Sequence, residues 1–176
     1  MTHWLGPLFD VPGYGVRCLQ PEDMAALQAL LENSSDYSQL VTGLPPGPSA
    51  AYSLLTDCPP EKTPDDKFVI GFFTAQQVLI GVLDFIRDYP TQSDWWIGLL
   101  LLDPAYRGQG LGQRVFRAFE QWVKQHDARR IGLGVVEQNQ GAYRFWQTVG
   151  FEPVERRPAK QFGNTEHVVI AMAHTL

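Results

Sequence analysis

Two periods of apolar residues alternate along the chain, one typical of strands and one typical of helices. A short strand over 14–19 precedes a helix whose first turn, 21–23, is acidic. Two runs of β-branched and aromatic residues, 67–74 and 78–87, flank a short polar break and predict an antiparallel pair of strands. The apolar positions that predict the first helix are Met24, Leu27, Leu30 and Leu31.

A nearly uninterrupted apolar run over 95–102 predicts a strand that is covered on both faces and is central in a sheet. A helix with one apolar stripe separates it from a strand predicted over 130–136. The unit 95–136 is therefore expected to be a right-handed βαβ crossover with two parallel strands. The stripe holds Leu111, Val115, Ala118, Phe119 and Trp122, and Glu120 and Lys124 are expected to form an i,i+4 pair outside it.

The C-terminal part predicts a shorter helix that ends at Gly150, followed by a hairpin of strands over 151–157 and 165–173. The apolar face of that helix holds Ala142, Phe145, Trp146 and Val149. Together the patterns predict an α/β (α+β) fold with a mixed central sheet of about seven strands flanked by helices.

Six of the 13 prolines interrupt this alternation within 33–66, among Ser, Asp, Gly and Tyr residues. The segment is predicted to be irregular chain with short helical turns, one of which, 50–55, has Ser49 as a candidate cap. Irregular stretches of this length are usually functional or mobile, although a plain surface insert is an alternative. At 176 residues the chain, 1–176, is expected to be a single domain.

The formal net charge is −5, from 14 basic and 19 acidic residues, and no block of five like charges occurs. This distribution argues against nucleic acid and against a polybasic membrane surface. Cys18 and Cys58 are read as free thiols in a reducing compartment, so a cytoplasmic location is expected. Residues 1–10 lack a signal-peptide pattern, and the longest apolar run is far shorter than the roughly 20 residues of a membrane span.

The four histidines show no ligand spacing with Cys or carboxylate residues, so no metal is expected. They are His3, His126, His167 and His174.

The glycine-rich turn Arg107-Gly108-Gln109-Gly110-Leu111-Gly112 joins the central strand to the following helix. Unpaired N–H groups at the positive end of a helix dipole make an anion site, and glycines let a diphosphate approach the main chain. A dinucleotide fingerprint would need Gly at position 113, where the chain has Gln, and a P-loop would need Gly-Lys-Ser/Thr to close the loop. Glycines used for turn geometry alone are the remaining alternative.

This turn resembles the R/Q-x-x-G-x-G/A signature of the GNAT superfamily of acetyl-CoA-dependent N-acetyltransferases. The order of elements over 95–151, including the strand end Val135–Asn139 and the segment Ala142–Phe151, is similar to that family. The resemblance implies a GNAT-like sheet with a βαβ acyl-CoA-binding core and acetyl-CoA as cosubstrate. It further implies transfer of an acetyl group to a primary amine of a small acceptor. A non-catalytic acyl-CoA sensor on the same fold is the alternative.

By the same resemblance, the main chain of the central strand pairs with pantetheine as an added strand would, and the glycine turn holds the diphosphate. Asn139 has an alternative role as a helix N-cap, and the three leucines are core residues in either case. The cofactor-binding residues implied are Leu100, Leu101, Leu102, Arg107, Gly108, Gln109, Gly110, Leu111, Gly112, Gln113, Asn139 and Trp146.

The catalytic groups are less well defined. Many family members have a Tyr acid four residues before the Gly-Phe pair, where this chain has Trp146. Indole only donates hydrogen bonds, so either its N–H merely hydrogen-bonds the sulfur, or solvent or Tyr143 protonates the leaving thiolate. The structural alternatives are a core residue on the helix stripe for Trp146 and a plain surface aromatic for Tyr143. Glu137 and Asp84 are candidate bases, with a solvated strand end and a strand-edge charge as the structural alternatives. Asp84 is expected to share a strand face with Val78, Ile80 and Val82.

The acceptor pocket is expected to be formed by 33–66, where Asp36, Tyr37 and Tyr52 are candidates. A homodimer is possible, since it is the commonest assembly.

Overall fold

A computed structural model describes residues 6–176, which form seven strands and five α-helices. The strands are β1 Gly15–Cys18, β2 Lys67–Phe73, β3 Leu79–Ile86, β4 Asp94–Leu102, β5 Arg130–Val136, β6 Glu152–Phe162 and β7 Thr165–Thr175. The helices are α1 Met24–Asn33, α2 Ser35–Thr42, α3 Ala50–Thr56, α4 Leu111–Lys124 and α5 Gln140–Thr148. No helix within 6–176 is long and apolar enough to cross a membrane.

All seven strands belong to one sheet in the order β1-β2-β3-β4-β5-β7-β6. Neighbouring strands are antiparallel except β4 and β5, which are parallel and joined through α4. The predicted mixed sheet and the predicted βαβ unit are both confirmed.

The two faces of the sheet have separate apolar cores, because successive strand side chains point to opposite faces. On one face, Val115 and Phe119 of α4 pack on a cluster that includes Phe85 and Trp95. On the other face, Leu27 of α1 and Ala51 of α3 pack on a second cluster from the sheet that includes Val69, Val82 and Leu101. Both cores reach β4, through Trp95 and Leu101, so the strand is central as predicted, but 96 and 98–100 are half-buried or exposed.

The prediction of irregular chain over 33–66 is wrong for much of that segment. Eight of its residues form α2, which ends at Gly43 in a left-handed conformation (φ 69°), and the first prolines come only after that glycine. The predicted turn over 50–55 is α3, but the Ser49 side chain makes no capping hydrogen bond. All six prolines of this segment follow α2, so their number gave no argument against a helix before them.

Glu120 was expected on the outer side of α4, but it is buried. Its carboxylate accepts hydrogen bonds from Arg117 and Lys124 on α4 and lies 2.8 Å from His174 Nε2 on β7. Burial opposes ionisation, but the hydrogen bonds from His174, Lys124 and Arg117 outweigh it and lower the pKa of Glu120 to about 2. The predicted Glu120–Lys124 pair is therefore confirmed, in a buried setting.

Candidate active site

A cleft of about 910 Å³ opens where β4 and β5 separate. The two strands pair only from Asp94–Arg130 to Ile97–Leu133, although β4 continues to Leu102 and β5 to Val136. Beyond that point the facing main-chain edge of β4 has no strand partner, and residues 98–102 line the cleft. An extended ligand with amide groups can pair with such an edge.

Gly98 marks the point of separation. Asp84 pairs with Leu99 and Phe85 with Ile97, so Gly98 is an extra residue without a counterpart on β3. Such a bulge bends its strand and ends regular pairing. A Cβ on Gly98 would lie 2.6 Å from Asp84 Oδ2, so only glycine fits between the strand and that carboxylate.

The glycine-rich turn 107–112 and the residues that lead into it from β4, together called the glycine junction, lie at the end of the cleft next to α4. Asp103 Oδ1 accepts a hydrogen bond from the N–H of Ala105 and orders the turn, and Gly108 and Gly110 adopt left-handed conformations (φ 72° and 79°). A Cβ on either glycine would meet nothing within 4 Å, so no packing contact demands them. Their φ values and an open approach to the first turn of α4 are what glycine provides.

Other residues of the junction point in different directions. Gly112 and Gln113 line the cleft, whereas Leu111 is buried in the core and Gln109 donates to the carbonyl of Ala105. The side chains of the junction therefore do not form one common binding surface. The main chain of the glycine residues is what the junction presents to the cleft.

Arg107 is held in place by two contacts. Its Nε donates to the Leu102 carbonyl at 2.8 Å, and its Nη1 lies 2.6 Å from Asp36 Oδ2 on α2. The Arg107 guanidinium lowers the pKa of Asp36, mainly through that side-chain hydrogen bond. Asp36 thus joins α2 to the junction. Because the two residues are 71 positions apart, the sequence alone does not indicate this contact.

Asn139 and Trp146 both line the cleft from the α5 side. Asn139 also caps α5, since its Oδ1 accepts from the N–H of Ala142 at 3.1 Å. Trp146 is buried and packs edge-to-face against Phe116. Tyr143, the candidate acid, packs against the core and is not among the residues that line the cleft.

Asp84 and Glu137, the two candidate bases, have very different settings. Glu137 forms a two-point pair with Arg156 on β6 at 3.0 and 3.1 Å and does not line the cleft. The hydrogen bonds from Arg156 lower the pKa of Glu137. Asp84 is buried, and its Oδ1 lies 2.9 Å from Nζ of Lys67, which is also buried. Burial raises the pKa of Asp84 to about 6, against the lowering effect of Lys67.

A second cavity of about 350 Å³ adjoins Asp84 and shares Gly98 with the main cleft. Trp96 lies over Gly132, where a Cβ would be only 2.8 Å from the indole. The Arg157 guanidinium lies 5.4 Å from the Trp96 ring centroid. This cavity combines aromatic and charged groups beside a buried carboxylate.

The expected face of Asp84 is only partly correct. Ile80 is skipped in the pairing of β2 and β3, since Phe72 pairs with Gly81 and Phe73 with Leu79. Ile80 consequently joins the core under α4, whereas Val82 faces α1 and α3. Val78 precedes the strand and is exposed. A bulge changes the alternation that the prediction relied on.

Several residues around the site were not predicted. Lys67 is a site residue only because β2 is next to β3. Leu40 and Val41 line the cleft together with Tyr37. The spacing of these three, i, i+3 and i+4, was the signal that could have revealed α2. Tyr52 is exposed and lines neither cavity.

Within 6–176, no group of three or more His, Cys, Asp or Glu side chains is arranged to hold a metal ion; His3 lies outside the described residues. Cys18 and Cys58 are free thiols.

A Bacillus subtilis (strain 168) protein provisionally named a ribosomal protein bS18-alanine N-acetyltransferase is 34% identical over 78 residues, which are 44% of this chain and 52% of that relative. The chain thus matches about half the length of that relative.

Solved structures share the fold. An acetyltransferase from Thermus thermophilus has a TM-score of 0.76 at 22% identity, covering 94% of this chain and 99% of its own. The spermidine N-acetyltransferase from Vibrio cholerae, in complex with CoA and spermine, has a TM-score of 0.71 at 17% identity, covering 93% and 95%. The model of the Acetyltransferase (GNAT) family matches residues 28–151, and on that match this chain belongs to the GNAT acetyltransferase family.

Proposed function

We propose that this protein is an acetyl-CoA-dependent N-acetyltransferase that transfers an acetyl group to a primary amine of a small acceptor by direct attack. The observation that carries the proposal is the unpaired edge of β4, which runs from Gly98 to the glycine junction before α4. Family membership supports the same activity.

The donor fits this cleft in two respects. The free edge at Leu100, Leu101 and Leu102 offers main-chain groups to the amides of a pantetheine arm. Gly108 and Gly110 leave open space where a Cβ would stand, and a diphosphate bound there would accept from N–H groups of the first turn of α4. Arg107 brings a positive charge to this end of the cleft, which its ion pair with Asp36 partly offsets.

The acceptor is proposed to approach from the second cavity, which adjoins the main cleft at Gly98. An amine with a pKa near 10 is mostly protonated at neutral pH, so a base is needed to provide the neutral nucleophile. Asp84 is suited to this because its carboxylate lies against Gly98 and has a pKa of about 6. Glu137 is not favoured, since it is paired with Arg156 outside the cleft.

The test is binding followed by turnover. Calorimetry should show acetyl-CoA binding at micromolar concentration, and free thiol should appear when primary amines, including polyamines, are added. No binding at high micromolar acetyl-CoA would contradict the proposal. Tight binding without thiol release on any amine would favour the non-catalytic acyl-CoA sensor instead.

The proposed setting of this reaction is the cytoplasm, in keeping with the two free thiols. A small-molecule acceptor also agrees better with the acidic composition than a nucleic acid does. A homodimer is compatible with the proposal and is not required by it.

A further inference from the structure

Acyl transfer from a thioester ends with a thiolate that must gain a proton, and few groups of the cleft can supply one. Among the described residues that line it, the titratable side chains are Asp36, Tyr37 and Arg107. Asp36 and Arg107 are paired with each other, and the pKa of Asp36 is lowered by that pair. A carboxylate at neutral pH has no proton to give, and a guanidinium does not release one. Tyr37 is the group left.

The position of α2 brings Tyr37 to the cleft. At one end of the helix Asp36 contacts Arg107, on the junction that follows β4. At the other end the carbonyl of Val41 accepts from Thr165 Oγ1 at 2.6 Å, at the start of β7. The helix is therefore attached on both sides, and the face that carries Tyr37 and Leu40 lines the cleft.

The α5 side of the cleft offers no alternative acid. Trp146 has an indole N–H, which donates hydrogen bonds but does not ionise in the usable range. Tyr143 packs on the core and does not line the cleft. Asn139 uses its carbonyl oxygen to cap α5.

We propose that the Tyr37 hydroxyl is the catalytic acid that protonates the sulfur of the departing CoA. The inference rests on the proposed function. The amine nitrogen forms a bond to the acetyl carbonyl carbon while the carbon–sulfur bond breaks and its electron pair goes to sulfur. The ammonium form of the acceptor first gives one proton to Asp84, which passes it to solvent. After the attack the new amide nitrogen gives a second proton to Asp84, and sulfur gains one from Tyr37. Solvent then removes the proton from Asp84 and restores the one on Tyr37, so the proton count balances.

The phenol has suitable chemistry for this step. Tyr37 is 37% exposed as a whole residue, but desolvation by the cleft around its hydroxyl raises its pKa, so the hydroxyl keeps its proton at neutral pH. No hydrogen bond joins that hydroxyl to another side chain or main-chain group of the described part of the chain, which leaves it available to a ligand. A CoA thiol has a pKa near 8.5, so a donor of this kind assists departure without being indispensable.

Tyr37→Phe tests the assignment, with Tyr52→Phe as the matched control, because Tyr52 is an exposed tyrosine on α3 that lines neither cavity. Two quantities are measured: kcat from thiol release, and the pKa of bound CoA thiol from its thiolate absorbance in the ultraviolet. Tyr37→Phe should lower kcat by about 10- to 100-fold and leave the Kd for CoA within about twofold. It should also weaken ionisation of bound CoA thiol by about tenfold, since the thiolate loses a hydrogen-bond donor.

The outcomes separate the two proposals. If the wild type neither binds CoA nor releases thiol, the proposed function fails, and the acid assignment fails with it. If the wild type binds CoA, an unchanged thiol pKa in Tyr37→Phe overturns the acid assignment alone, whether or not an acceptor amine has been found. An equal loss of kcat in Tyr52→Phe would likewise overturn it.

Discussion

Replacement of Asp84, the proposed base, by Asn should remove most of the activity. The carboxyl has an ordinary pKa of 3.8, and burial raises it to about 6, a change that corresponds to about 3 kcal/mol. With that value about one tenth of the molecules carry the carboxylate at pH 5 and about nine tenths at pH 7. The wild-type kcat/KM should therefore rise about tenfold between pH 5 and 7. Asp84→Asn should lower it by about a hundredfold or more at pH 7 and abolish that rise.

The charge of Lys67 determines the direction in which the pKa of Asp84 changes when the pair is broken. Its ammonium lies 2.9 Å from Asp84 Oδ1 and favours the ionised carboxylate. Lys67→Met removes that charge, so the pKa of Asp84 should rise further and the acidic limb of the pH profile should move to higher pH. Breaking a buried pair is costly for the fold, by about 3–5 kcal/mol. The double variant Lys67→Met/Asp84→Asn leaves no unpaired charge and should therefore be more stable than either single variant. It should also lack the rise of kcat/KM between pH 5 and 7, because the carboxylate is absent.

The assay is thiol release across pH 4.5 to 8, with the fold of each variant checked by near-ultraviolet circular dichroism. Asp10→Asn is the matched control, because Asp10 is an exposed carboxylate that lines neither cavity. A wild-type profile that is flat between pH 5 and 7 would refute the assignment. So would an Asp84→Asn variant that keeps its fold and more than half of its activity.

Gly110→Val should reduce acetyl-CoA affinity at least tenfold in calorimetry, because φ is 79° and the added side chain fills the open approach to α4. Unchanged affinity would contradict the proposal that the glycine junction holds the diphosphate. Glu120→Gln should lower the free energy of unfolding by about 2 kcal/mol at pH 7, less than the shift from 4.5 to about 2 implies, because Gln still accepts hydrogen bonds. That difference is present above pH 4.5 and should shrink as the pH falls towards 2 in urea titrations; a constant difference would argue against a depressed pKa. Asp36→Asn should raise CoA affinity up to about fivefold, since an exposed pair worth at most about 1 kcal/mol no longer competes for Arg107; weaker binding would mean that Asp36 orients the guanidinium instead.

The regular part of the fold was predictable because its signals are local. The apolar run of β4 indicates burial on both faces, and the apolar stripe of α4 shows which face of the helix is buried. A strand, a helix and a second strand in that order predict a parallel crossover. The glycine turn was predictable for a similar reason, since its conformation and access are properties of consecutive residues. The length of β6 was not, because its 11 residues are almost all exposed and carry no alternation of burial.

The proposed acceptor side of the site was harder to predict because it depends on contacts between distant segments. Asp36 reaches Arg107 across 71 residues, and Asp84 meets Lys67 on a neighbouring strand. A carboxylate in a sequence carries no sign of the ammonium beside it, and its pKa follows from burial and neighbours. Glu137 was an equal candidate in the sequence for the same reason, since the pairing with Arg156 appears only once β6 is in place.

One irregular residue accounts for much of this difficulty. Gly98 has no counterpart on β3, and it stands where β4 stops pairing with β5. The Asp84 carboxylate lies against the strand at this residue, which also lines both cavities. A Cβ at position 98 would lie 2.6 Å from Asp84 Oδ2, so any side chain there would displace the carboxylate. The pattern that identifies β4 as a central strand therefore describes the scaffold, whereas the single departure from that pattern lies where we propose that donor, acceptor and base meet.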